Sequence, residues 1–218
     1  MIHCLEIDGV FFEINNKSIL SDIYLQSKTN LVTGLFGRNG AGKSSLMKII
    51  FGALDCEYSL RVDNKSIKNL NKRNEFISFL PQFNFIPKSL SINQTLYFFE
   101  LNRNIFEAIL PEFINKTNMK LGELSGGQRR FIELYVILFS KSKFTLLDEP
   151  FSQLSPLQIE KAKQLILQTK LKKGILMTDH LYNHIFDISD TNYILKDGKS
   201  YVIKTLLDLE ELGYIKVR

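Results

Sequence analysis

Cysteine is scarce in this chain: Cys4 and Cys56 are the two among 218 residues. Two thiols cannot build a disulfide framework, and these lie in no metal-ligand spacing, so both read as reduced structural thiols. Long apolar runs are also missing. The densest stretches, such as Ile132 to Phe139, fall well short of the ~18 residues expected of a membrane-spanning helix. The first residues, Met1-Ile2-His3-Cys4-Leu5-Glu6, have neither the basic region nor the apolar core of a secretion signal, which sets the expectation of a cytoplasmic chain. No repeat, low-complexity segment or linker is visible. A hydrophobic content of 44% excludes wholesale disorder. The length suits one large domain, or one domain with a subdomain inserted.

Acidic residues are outnumbered, leaving a net charge of +5. Concentrated on one face, that excess would suit nucleic acid or an anionic membrane. It is spread out instead. Lys65, Lys68, Lys72 and Arg73 form one loose group; Lys170, Lys172 and Lys173 form another at the end of a predicted helix, where positive charge complements the macrodipole. Both groups read as solvated surface, and no nucleic-acid partner is expected.

What the chain does have is an alternation of strands and helices. Leu5 to Phe12 and Ile19 to Gln26 read as strands separated by the turn Asn15-Asn16-Lys17. Leu31 to Phe36 is an apolar strand, and Ser45 to Phe51 a helix stopped by Gly52. A hairpin turning at Asp63-Asn64-Lys65 and a strand from Phe76 to Leu80 follow. Helical spacing runs between Ser91 and Ile114 and again from Gln128 to Ser140. Phe144 to Asp148 and Gly174 to Thr178 are buried strands. Ser155-Pro156-Leu157-Gln158 is a helix start, with Ser155 as N-cap and Gln158 closing a capping box. Leu181 to Phe186 is a short helix, Asn192 to Ile203 a hairpin folded about Asp197-Gly198, and Leu206 to Leu212 a terminal helix. Buried strands alternating with helices predict an α/β fold with a mostly parallel sheet.

Three motifs carry chemistry. Gly37-Arg38-Asn39-Gly40-Ala41-Gly42-Lys43-Ser44 is a complete phosphate-binding loop between a strand and a helix. Its glycines let backbone N–H groups turn inward, and the following helix directs its positive end at the same point. Lys43 can reach the outer phosphates of a nucleoside triphosphate, and the Ser44 hydroxyl can ligate Mg²⁺. Phe144-Thr145-Leu146-Leu147-Asp148-Glu149-Pro150 ends an apolar strand in two carboxylates. Asp148 suits Mg²⁺ binding through water, and Glu149 suits taking a proton from a water that attacks the γ-phosphate. Leu124-Ser125-Gly126-Gly127-Gln128 places two bare glycines and a hydroxyl at a helix start, a second anion cradle. One nucleotide does not need two cradles on one small chain, so the second is expected to serve a nucleotide held by another copy.

With these motifs in this order, the chain resembles the ATP-binding cassette (ABC) ATPases over nearly its whole length. The resemblance implies a P-loop NTPase core, approximately residues 1–83 and 126–218, with an N-terminal antiparallel β subdomain and a short inserted helical subdomain, approximately 84–125. It implies ATP and Mg²⁺ as ligands and a head-to-tail pair of subunits, expected to be a homodimer. Residues Gly37 to Ser45 would hold ATP in cis, and Ser125, Gly126, Gly127 and Gln128 would reach it in trans. Gln82 takes the position of the family's glutamine loop, near Mg²⁺ and the attacking water. His180, in Thr178-Asp179-His180, matches the histidine that contacts the γ-phosphate. The family's usual adenine-stacking aromatic is replaced by Ile14, with Phe12 as a substitute two residues earlier. Ser155 stands where the family usually has Asp. A separate transmembrane permease is the implied partner, placing the chain at the cytoplasmic face of a membrane; a soluble ABC ATPase without a permease is the alternative. Phe83, Phe85, Ile86, Pro87 and Leu90 are candidates for docking the permease or for internal packing. Phe151 and the Thr178-Asp179-His180 triplet resemble cassettes of the lipopolysaccharide-export and branched-chain amino-acid type.

Overall fold

The structure, a computed structural model, describes residues 1–67, 73 and 75–215. Lys68 and Lys72 of the first basic group lie outside them.

Two sheets stack. The first is antiparallel and is built from β1 (Cys4–Ile14), β2 (Lys17–Leu20), β3 (Tyr24–Lys28), β5 (Glu57–Val62) and β6 (Lys65–Ser66). The second runs in the order β11-β10-β4-β9-β8-β7, formed by β4 (Val32–Phe36), β7 (Ile77–Leu80), β8 (Phe144–Asp148), β9 (Gly174–Thr178), β10 (Thr191–Lys196) and β11 (Lys199–Ile203). Its pairs are parallel except for the β10–β11 hairpin. β4, β8 and β9 are buried at every position, as a sheet covered on both faces requires. The side chains divide with period two: Ile175 and Met177 of β9 join one core, Leu176 the other.

One core lies between the two sheets and holds α1 (Lys43–Phe51) through Leu46, Met47, Ile49 and Ile50. The other lies on the opposite face, under α4 (Gly126–Leu138) and α5 (Pro156–Lys170). Two short helices precede α4, α2 (Ile92–Phe98) and α3 (Arg103–Ile109), and Phe106, Leu110, Phe113 and Leu121 from this region join the same core. The chain closes with α6 (Tyr182–Phe186) and α7 (Leu206–Glu211).

Local signals place most boundaries. Gly52 caps α1 in the left-handed conformation (φ 92°), and Ser155 and Gln158 form the reciprocal capping box expected of them. The Asp63-Asn64 and Asp197-Gly198 turns adopt positive φ at both central residues. Three expectations need correction. The strand read from Ile19 to Gln26 is two strands, because Ser21 and Asp22 turn their N–H groups to the distant Gly198 carbonyl. Arg73 is buried: its guanidinium donates to Ile49 O and to Tyr58 Oη and lies over the Tyr58 ring. Lys173 is 5% exposed, not solvated, and its amine donates to Ser140 O, Ser140 Oγ and Ser142 Oγ. Burial pushes that amine down to about 7.

Candidate functional site

The loop from Gly37 to Gly42 joins β4 to α1 at the carboxyl end of the parallel sheet. Gly37, Gly40 and Gly42 take φ values of 146°, 83° and 95°, which favour glycine. Gly42 is doubly constrained, since a Cβ there would stand 2.7 Å from Leu20 Cδ2. Lys43 folds back over the loop it follows, donating to Gly37 O at 2.6 Å and Arg38 O at 3.2 Å. Burial pushes its amine below the usual lysine range, opposed by the Glu149 and Asp148 carboxylates. An ammonium held by main-chain oxygens beside two acids is poised for a polyanion, because phosphate oxygens would replace partial charges by full ones.

β8 delivers the two acids. Asp148 is 1% exposed and accepts the Ser44 hydroxyl at 3.0 Å through Oδ1; its Oδ2 is buried with no hydrogen-bond partner. Burial drives the carboxyl above its ordinary range, opposed by the Ser44 bond. A desolvated carboxylate oxygen beside a hydroxyl fits a hard divalent cation with oxygen ligands, so these two residues suit Mg²⁺. Glu149 occupies the left-handed region (φ 50°), with its N–H bonded to Thr178 O at the end of β9. That conformation turns its side chain out of the sheet, where Glu149 Oε2 accepts Gln82 Nε2 at 2.9 Å. His180 Nδ1 stands 3.9 Å from the same oxygen and 3.2 Å from Asp179 Oδ1. Asp179 is buried and fixes the turn by accepting the N–H groups of Phe151 and Leu181. Five predicted residues, Lys43, Ser44, Gln82, Asp148 and Glu149, therefore meet at one place, with His180 at its edge.

Two cavities open there. One, of about 480 Å³, is bounded by Ile14, Ile19, Asn39, Lys43, Ser44 and Gln82 among others, and Glu149 faces it. The second, of about 240 Å³, lies between Arg38, Lys43, Glu149 and His180, with Tyr182 and Tyr214 as walls. Tyr214 and Ile215 were not legible as site residues. Arg38 brings them in by donating to Gly213 O at 2.6 Å, and Tyr214 packs edge-on to Phe36 and Tyr182. Ile14 is half exposed and faces the larger cavity; Phe12 does not line it and packs toward the core between the sheets. The register with β2 shifts between Phe12 and Glu13, leaving Ile19 of β2 as the extra residue.

Ser125 to Gln128 do not line either cavity of their own chain. Ser125 caps α4: its Oγ accepts the Gln128 N–H, and Gln128 Oε1 accepts the Ser125 N–H. The two glycines abut the loop after Glu149. A Cβ on Gly126 would lie 2.6 Å from Gln153 Oε1, and one on Gly127 would lie 2.7 Å from Gln153 O. Ser125 and its first-turn N–H groups thus lie apart from the phosphate-loop cavities within this subunit.

Comparison with known proteins agrees with this geometry. Residues 20–152 match the ABC transporter family. The lipopolysaccharide export system ATP-binding protein LptB of Haemophilus influenzae is 30% identical over 200 residues, covering 84% of this chain and 83% of that protein. The probable branched-chain amino acid transport ATP-binding protein LivF of Archaeoglobus fulgidus is 30% identical over 215 residues, covering 91% and 89%. A solved ATP-binding subunit of an ABC transporter superposes with a TM-score of 0.83 at 21% identity, over 96% of this chain and 93% of that one, which shows the shared fold. With a phosphate loop, a strand-end carboxylate pair and a capped Ser-Gly-Gly helix on that fold, the chain belongs to the ABC transporter family, as one of its ATP-binding subunits.

Proposed function

We propose that the protein hydrolyses ATP to ADP and phosphate and that two copies, closing over two ATP molecules, drive a separate transmembrane permease. The observation that carries this reading is the convergence of Lys43, Ser44, Gln82 and Glu149 on one cavity, with Asp148 bonded to Ser44 behind it and Ser125 to Gln128 outside it. The loop N–H groups and Lys43 bind the phosphates. Asp148 and Ser44 hold Mg²⁺, which supplies charge neutralisation on the phosphate oxygens when bound. Glu149 takes the proton of the attacking water, and Gln82 holds the carboxylate that does so. His180 binds the γ-phosphate oxygens. Ser125, Gly126, Gly127 and Gln128 of the second copy complete each site.

Residues 84–125 form the inserted helical subdomain in this reading. The stretch that follows Gln82 divides its side chains: Ile86 is buried, Phe85 packs against Phe99, and Phe83 is 64% exposed. Phe83 with exposed Tyr97 and Phe98 is the surface for a permease segment. No helix among the described residues is long and apolar enough to cross a membrane. The similarity to ATP-binding subunits of transport systems supports a separate permease, at whose cytoplasmic face the subunit sits.

Replacing Glu149 by Gln tests the chemistry. The variant is expected to keep its affinity for ATP and to lose about 10² to 10⁴ of the turnover rate, the usual contribution of a general base. Turnover at the wild-type rate would remove Glu149 from that role.

A further inference from the structure

The hydrolytic reading leaves one group of charges without a task. Arg129, Arg130 and Glu133 lie on successive turns of α4, and at 7%, 0% and 0% exposure they are buried together. Buried charges at this density are costly unless each is paired or hydrogen-bonded. Their bonds are not local to the helix. Arg130 Nη1 donates to Pro81 O at 2.7 Å, directly before Gln82. Arg130 Nη2 donates to both Asp148 O and Glu149 O at 2.9 Å. Arg129 Nη2 donates to Ile86 O, and Glu133 Oε1 accepts the Ile86 N–H at 3.3 Å. Glu133 lies 3.4 Å from Arg129 and 3.8 Å from Arg130, holding the two guanidinium groups side by side.

One helix therefore grips both ends of the 81–86 loop and the carboxyl end of β8. The contact to Glu149 O has a specific meaning. Glu149 sits at φ 50°, an unfavourable conformation for a residue with a Cβ, which persists only where the surroundings over-determine it. Arg130 supplies that constraint through the carbonyls of the two peptides that flank the Glu149 Cα, those of Asp148 and Glu149. The same guanidinium fixes the carbonyl before Gln82, whose side chain meets the Glu149 carboxylate.

We propose that Arg130, steadied by Glu133 and Arg129, is a positioning residue for the proton-accepting carboxylate: it sets the Glu149 backbone and the start of the Gln82 loop in one frame. The inference rests on Glu149 acting as the general base. Arg130 lines neither cavity of the site and acts through Glu149 and Gln82.

Replacing Arg130 by Lys tests it. Lysine keeps the charge but cannot present the planar fork that spans three carbonyls. The expected result is a kcat at least about tenfold lower with KM for ATP changed less than about twofold, since misplacing a catalytic group by a fraction of an ångström costs rate rather than binding. A cycle with Gln82→Ala separates positioning from general loosening. If Arg130 acts through the Gln82–Glu149 pair, the Arg130→Lys effect shrinks in the Gln82→Ala background; if it is structural only, the two effects multiply. Glu133→Gln, which keeps an acceptor for Ile86 N–H, provides a milder variant should Arg130→Lys fold poorly, and is expected to lower kcat in the same direction. Wild-type kcat in folded Arg130→Lys and Glu133→Gln, or fully multiplicative effects, would overturn the inference. Absence of ATPase activity in the wild-type protein, or full activity in Glu149→Gln, would instead overturn the reading on which it rests.

Discussion

Lys173 gives a stability prediction that can be worked from the structure. Its amine precedes β9, is 5% exposed and has three oxygen partners, none of them a carboxylate. Burial lowers it from 10.5 to about 7 in the folded protein. Between those two values the unfolded chain binds a proton that the folded chain does not, so stability rises with pH across the window. Below about pH 7 both states are charged and the folded state carries the full desolvation cost, at most about 5 kcal/mol at 1.36 kcal/mol per pH unit. From pH 6 to pH 9 the group should add up to about 3 kcal/mol of stability. Lys173→Met keeps most of the side-chain volume and removes the titration, while leaving the Ser140 carbonyl and two hydroxyls short of a donor at about 1 to 3 kcal/mol. Denaturant unfolding of both proteins at pH 6, 7, 8 and 9 isolates the effect, since every other titration cancels in the difference. Wild type should gain on the variant steadily as pH rises, and the variant should match or exceed it at pH 6. Parallel curves would show that Lys173 keeps its charge throughout, and the buried-amine reasoning would be refuted.

Two further outcomes follow from particular contacts. Ile14→Tyr is expected to tighten ATP binding several-fold in an equilibrium titration, because a ring at that edge of the larger cavity can stack on the base where Phe12 cannot; unchanged affinity would place the base elsewhere. Gly34→Ala is expected to lower stability by about 1 to 3 kcal/mol, read as a shift in the denaturant midpoint, because its Cβ would come within 2.5 Å of Asn192 Oδ1 and 2.9 Å of Ile185 Cγ2 in a packed strand. A midpoint equal to wild type would mean that β4 and α6 can separate freely.

The parts of this protein legible in its sequence are those set by neighbours along the chain. Short, largely apolar runs mark β8 and β9, and a capping box marks α5 at Ser155. The site was legible for the same reason, since each of its motifs is a short run at a strand end or helix start. What could not be read depends on residues far apart. The break at Ser21 is made by Gly198, and the burial of Lys173 by the end of α4. The packing of Phe12 toward the inter-sheet core likewise depends on residues of other strands. Tyr214 reaches the cavity beside His180 with the help of the Arg38–Gly213 bond, which joins positions 175 residues apart. Arg130 lies two residues beyond the Ser125 to Gln128 motif, and its three carbonyl partners come from the ends of β7 and β8.

The composite site makes its most direct claim on association state. With Glu149 as the general base, Glu149→Gln is expected to hold ATP without consuming it, so with ATP and Mg²⁺ this variant should run as a dimer in size-exclusion chromatography with light scattering, and as a monomer without nucleotide. Adding Ser125→Arg should abolish the dimer while leaving ATP binding to the monomer intact, because the bulky cation fills the cradle that must close on the other copy's γ-phosphate. A dimer that forms equally well with Ser125→Arg, or no ATP-dependent dimer at all, would contradict the shared active site.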